Sequence, residues 1–434
     1  MTKSQNNTDE TTIFDDVESN VQSYARSFPV VFEKAQGAHI YDREGNKYID
    51  FLAGAGSLNY GHNHPVLKKA LIQYIESDGI THGLDFHSAA KEKFLQNFKD
   101  IILEPRGLDY RVQFTGPTGA NAVEAALKLA RMVKNRTNVI AFTNGFHGVT
   151  PGALAATGNS HHRGAAGISL EGITRMPFDD YMDDMDTLGY MDQMLSDNSS
   201  GIDHPAAVIV ECIQGEGGLN AARLEWLKGL EELCHKYDML LIVDDIQAGC
   251  GRSGTFFSFE PAGITPDIVT LSKSISGYGL PFAITIFKPE LDQWEPGEHN
   301  GTFRGNNHAF ITAATALEYF WSDDKFAKSV QAKGEMMRER IETIIGQHPH
   351  ANLKSKGRGM MRGIECESGE IADKITSAAF KKGVIIETSG PEGQVVKCLC
   401  SLTITEQELM DGWNVVEQSF AEILGNQAAL KKAA

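Results

Sequence analysis

Five short apolar runs recur along the chain at 111–114, 139–142, 207–210, 240–243 and 268–271, each bounded by polar or glycine-bearing segments. Runs of that length, rich in Val and Ile, predict buried strands. After the first of them Val123, Ala126, Leu127, Ala130 and Val133 recur with helical spacing, so a helix follows the strand. Strands alternating with helices predict an α/β fold, a mostly parallel central sheet covered by helices. Ligands of such sheets bind beyond the carboxyl ends of the strands.

The ends of the chain read differently. Residues 38–50 predict a hairpin of two short strands joined by Asp42-Arg43-Glu44-Gly45-Asn46, and a charged helix is predicted over 325–348. A chain of 434 residues is too long for one simple core. The expected division is a segment 1–60 contributing to a small domain, a large ligand-binding domain over 61–320, and a C-terminal part of the small α+β domain over 321–434.

Composition narrows the function classes. The densest apolar run, 239–243, is far short of the roughly 20 residues a membrane helix needs, so no membrane span is expected. Met1 to Asp16 is polar and acidic, which predicts no secretory signal. Six cysteines without paired CxxC spacing fit a reducing cytoplasm. Forty basic against 57 acidic residues give a net charge of −17, which disfavours nucleic-acid binding. His161 and His162, with His62 and His64, lack a carboxylate or cysteine frame, so no metal site is expected.

The strand ends carry the candidate chemistry. Lys273 follows the run 268–271 and opens the turn Ser274-Ile275-Ser276-Gly277-Tyr278-Gly279. An amine in that place can form an imine with an aldehyde. Asp244 ends the run 239–243, where a carboxylate is costly without a cationic partner. A protonated pyridine supplies one: at about 3 Å and an effective dielectric near ~20 the attraction is roughly 5 kcal/mol as an upper bound. Lysine and acid at neighbouring strand ends thus fit pyridoxal 5'-phosphate, with Gln247 placed to bond its phenolic oxygen. Once freed by an incoming amine, Lys273 can shuttle a proton at the substrate carbon.

Other strand ends suit the same ligand. The loop Thr115-Gly116-Pro117-Thr118-Gly119-Ala120-Asn121 enters a helix and offers N–H groups to a phosphate. Phe146 can stack on the pyridine face, and Thr302 can reach a phosphate. The segment 211–218 adds Glu211 and Glu216 among glycines as candidate substrate contacts. Singly, each also fits a blander role: a strand-to-helix turn, an aromatic packed on its own loop, a helix N-cap for Asp244, a solvated acidic loop.

Together the segments 114–131, 145–148, 211–218, 243–254 and 266–273 resemble the class III, ω-type aminotransferases of PLP fold type I, over nearly the whole length. The resemblance implies Lys273 as the catalytic Schiff-base lysine, Asp244 as the pyridinium partner, Gln247 as the phenolic-oxygen contact and Phe146 as the stacking ring. It implies Thr118, Gly119 and Ala120 as the phosphate cup, completed by Thr302 of a neighbouring subunit, and so a homodimer or a dimer of dimers. The segments 244–252, 254–260, 274–282 and 357–361 resemble the branch of the family that serves ectoine synthesis. That branch implies L-glutamate as donor, L-aspartate 4-semialdehyde as acceptor and 2-oxoglutarate as co-product. Branches acting on ornithine, γ-aminobutyrate or polyamines stay open beside it.

Two departures bear on the substrate. Many relatives carry arginine after the aromatic-His-Gly turn, where this chain has Val149. Many also carry arginine near the C-terminus, paired with the glutamate matching Glu216, where this chain has Lys397. Lysine offers a point charge without a planar two-pronged grip. The expectation is that Lys397 pairs with Glu216 until the glutamate carboxylate takes its place.

Overall fold

The computed structural model describes residues 12–183 and 185–433. The first eleven residues of the segment 1–60, and Ala434, lie outside that range. Leu240–Asp244 is buried along its whole length and pairs in parallel with Ala207–Val210 on one side and Ile268–Leu271 on the other. Burial on both faces explains why these runs are continuously apolar rather than alternating. Val139–Phe142 and Ile173–Met176 extend the sheet in parallel beyond Ala207–Val210. On the far side Ile284–Phe287 pairs antiparallel with both Ile268–Leu271 and Arg111–Phe114.

All five apolar runs are strands of this seven-stranded sheet. Ile173–Met176 and Ile284–Phe287 belong to it as well, although the sequence reading passed over them. The helix Gly119–Lys134 buries Val123, Ala126, Leu127 and Ala130 against one face of the sheet.

The chain ends build further sheets. His39–Asp42 and Lys47–Asp50 form the expected hairpin, joined by Phe32–Gln36. Val384–Ile385, from the far end of the chain, pairs in parallel with Lys47–Asp50. A second four-stranded sheet runs Lys354–Arg358, Met361–Glu365, Val395–Cys398, Glu387–Ser389. The charged helix spans Lys325–Gln347, and Val330, Met337, Ile341 and Ile344 bury its apolar stripe against that region. Among the described residues no helix is long and apolar enough to cross a membrane.

Candidate active site

The central sheet delivers Asp244 and Lys273 to the same edge. Asp244 stands opposite Thr270 in the parallel ladder, and Lys273 begins the tight turn Lys273–Ser276 just beyond Leu271. Its φ of +51° lies in the left-handed region, a strain on the order of 1–3 kcal/mol for a non-glycine residue. Asp244 Oδ1 accepts from Thr270 Oγ1 at 3.1 Å and from the Ile246 N–H at 3.2 Å. Its Oδ2 lies 2.7 Å from His147 Nδ1, and both side chains are buried. His147 therefore orients the carboxylate from behind. The sequence reading missed this role, although His147 sits in the same turn as Phe146.

A loop from near the N-terminus closes over the lysine. Lys273 Nζ donates to the Ala55 carbonyl at 2.7 Å, and Gln247 Nε2 donates to the same carbonyl at 3.3 Å. Burial lowers the Lys273 pKa from the ordinary amine value, while Glu216 pulls the other way. The amine is thereby moved towards the neutral form that a nucleophile needs.

Gln247 is tied to its neighbours on both sides. Its Nε2 also donates to Glu216 Oε1 at 3.0 Å, so both amide hydrogens are engaged, and a bond to a phenolic oxygen requires releasing one of them. Its Oε1 is buried without a partner among the described residues. A Cβ added to Gly215 would meet that oxygen at 1.8 Å, so only glycine admits this approach.

The loop that enters the helix Gly119–Lys134 adjoins these groups. Thr118 caps Gly119–Lys134, its Oγ1 accepting from the Asn121 N–H at 3.2 Å, and leaves the Gly119 and Ala120 N–H groups outside the helical ladder. An added Cβ on Gly119 would meet Ile246 Cδ1 at 3.0 Å, and one on Gly148 would meet Ala120 Cβ at 2.8 Å. The Thr118–Ala120 loop, the aromatic turn and the Asp244 strand end are therefore packed together. Phe146 is half-buried, with the His162 ring edge-on at 5.5 Å between centroids.

Glu211, a candidate substrate contact, is engaged by backbone donors. Its oxygens accept from the Phe146 N–H at 2.9 Å and the Gly215 N–H at 3.1 Å, so it braces two loops. Burial is the main cause that pushes its carboxyl up to about 7.

Glu216 and Lys397 do meet. Lys397 Nζ, fully buried, donates to Glu216 Oε1 at 2.9 Å. Burial alone would raise the Glu216 pKa, but Lys397 and Lys273 hold it down to about 2. A second carboxylate joins them, for Glu387 Oε1 stands 3.0 Å from Lys397 Nζ and its Oε2 accepts from Tyr24 Oη at 3.2 Å. Neither Glu387 nor Tyr24 was singled out in the sequence. Glu387 ends the apolar run 384–386, the same incongruity that marked Asp244.

Thr302 is not gathered into this cluster. It is exposed, its carbonyl lies 2.6 Å from His82 Nε2, and exposed Phe303 follows it. Among the described residues no group of three or more His, Cys, Asp or Glu could hold a metal ion.

The residues fit pyridoxal phosphate: a depressed amine, an oriented carboxylate, free helix N–H groups and an orphaned buried amide oxygen share one place. The family model for class-III aminotransferases matches residues 21–420. A diaminobutyrate–2-oxoglutarate transaminase of Vibrio parahaemolyticus is 61% identical, the match covering 95% of this chain and 97% of that one. The enzyme of the same name from Halomonas elongata is 58% identical over 94% of this chain and 98% of its own. Among solved structures, the ornithine aminotransferase of Toxoplasma gondii matches with a TM-score of 0.85 and 28% identity, covering 98% of this chain and 96% of that one.

Proposed function

The chain belongs to the class-III aminotransferases, and from that premise we propose that it moves the amino group of L-glutamate onto L-aspartate 4-semialdehyde, giving L-2,4-diaminobutyrate and 2-oxoglutarate. Its cofactor is pyridoxal 5'-phosphate. The observation that carries the reaction is the juxtaposition of the Lys273 amine, whose pKa burial lowers, with the Asp244 strand end. The choice of substrates is supported by relatives at 61% and 58% identity that are named diaminobutyrate–2-oxoglutarate transaminase.

Bound at this edge of the sheet, the cofactor supplies an aldehyde that condenses with amines and a protonated ring that withdraws electrons from the attached carbon. The chain does the rest. Asp244, held in place by His147 and Thr270, presents a carboxylate to the ring nitrogen. Gly119 and Ala120 direct N–H groups at a phosphate, and Thr118 fixes the helix end that carries them. Glu211 anchors the backbone of the turn from which the Phe146 ring can stack on the cofactor. Lys273 Nζ accepts and returns a proton at the reacting substrate carbon, a role that its lowered pKa favours. Lys397 binds the donor carboxylate when Glu216 withdraws.

The same reading includes a homodimer or dimer of dimers, in which Thr302 completes a neighbouring cup. Exposed Phe86, Leu84, Ile80 and Phe303 beside Thr302 support it, because an apolar group of that size is suited to a partner. A cytoplasmic setting is supported by six free, buried cysteines. The division into 1–60, 61–320 and 321–434 is supported by the sheet that joins Lys47–Asp50 to Val384–Ile385. In the host the reaction would be the first committed step towards the compatible solute ectoine.

A half-reaction tests the assignment. Glutamate added to the yellow, cofactor-loaded protein should bleach the aldehyde absorbance, and aspartate semialdehyde should restore it with formation of 2,4-diaminobutyrate. Lys273→Ala should abolish the cycle. Cycling of that variant at the parental rate would refute the site, and restoration by ornithine-, aminobutyrate- or polyamine-derived aldehydes alone would refute the substrate.

A further inference from the structure

The two carboxylates on Lys397 are held in unlike ways. Glu387 is the direct cross-strand partner of Lys397 in the antiparallel pair Glu387–Ser389 with Val395–Cys398. Side chains directly opposite in a ladder lie on one face with Cβ atoms about 5 Å apart, so the strand pairing itself keeps the two together. Glu387 is buried, and Tyr24 donates to its outer oxygen. Glu216, by contrast, sits between Gly215 and Gly217 on a loop, and its side chain keeps 30% of its exposure. One counter-ion is fixed and the other is displaceable.

The charges do not balance evenly. Lys397 with Glu216 and Glu387 forms a trio of net charge −1 before any substrate arrives. When a donor carboxylate replaces Glu216, it shares the ammonium with the fixed Glu387. We propose that Glu387 is a positioning residue that sets donor affinity: it holds the Lys397 ammonium in place and at the same time weakens its hold on the donor carboxylate.

The effect is selective because the two substrates differ at the reacting carbon. That carbon in glutamate bears a carboxylate, whereas in the semialdehyde it bears only hydrogen. The acceptor therefore makes no demand on Lys397, Glu216 can return to it, and loosened binding of the carboxylate favours release of 2-oxoglutarate between the two halves of the cycle.

The inference rests on Lys397 as the donor-carboxylate contact, and the experiment separates the two. With cofactor-loaded protein, Glu387→Gln should lower KM for glutamate about tenfold, while KM for the semialdehyde changes less than about twofold. Glu387→Asp, which keeps the charge but draws it back from Lys397, should lower KM for glutamate about threefold. Calorimetric titration of pyridoxamine-phosphate-loaded protein with 2-oxoglutarate should show the same order of tightening. A merely structural Glu387 would instead raise KM for glutamate or leave it unchanged in both variants, which overturns the proposal. Should the Gln variant fail to fold, the Asp variant decides alone. Failure of the parent protein to convert glutamate would overturn the functional reading itself.

Discussion

At the scale of single residues, two adjacent acids show how position divides labour. Asp244 is surrounded by donors, whereas Asp245 accepts from the Ser258 N–H at 3.0 Å and keeps its other oxygen buried without a partner among the described residues. Burial pushes the Asp245 carboxyl up to about 7. A carboxyl raised in this way binds its proton more tightly in the folded chain than in the unfolded one. The stability it contributes is present below the ordinary carboxylate range and is lost as pH climbs to about 7. Asp245→Asn, which has no charge to bury, should therefore gain on the parent between about pH 5 and pH 8, by about 1–3 kcal/mol in urea unfolding. A constant difference across that range would contradict the assignment. Lys273 and Asp244 were legible in the sequence because a charge ending an apolar run is incongruous. The reach of Tyr24 to Glu387 was not, since no local pattern records which distant residues will meet.

At the scale of elements, legibility followed burial. Runs buried on both faces announce themselves, as Leu240–Asp244 did. Phe32–Gln36 did not, because its mostly exposed residues Glu33, Lys34 and Gln36 break any apolar signal. By itself the sequence 211–218 also fits a solvated acidic loop, yet Gly215 is closely packed against Gln247. Gly215→Ala would drive a methyl into Gln247 Oε1, pushing Gln247 off Glu216. Glutamate turnover in that variant should fall by at least about a hundredfold, since a displacement of about 1 Å near the chemistry costs that much. Far-ultraviolet dichroism should stay that of the parent. Undiminished turnover would mean that the Gln247–Glu216 contact is dispensable.

At the scale of the whole molecule, the proposed dimer would cover the exposed apolar side chains around Thr302. Phe303 retains 67% and Phe86 65% of their exposure. Changing Phe303 to Ser should weaken self-association, raising the dissociation constant about tenfold or more in sedimentation experiments, with cofactor retention falling as protein is diluted. An unaltered sedimentation profile would refute the assignment of this surface to the proposed dimer. The strand pairing of Val384–Ile385 with Lys47–Asp50 carries one more consequence. The stretch bearing Ala55, whose carbonyl holds the Lys273 amine, directly follows Lys47–Asp50. During synthesis on the ribosome that stretch emerges early and waits for its neighbour strand until most of the polypeptide has been made. Nascent chains arrested before Val384 should consequently fail to capture vitamin B6, and the catalytic pocket is among the last things this protein completes.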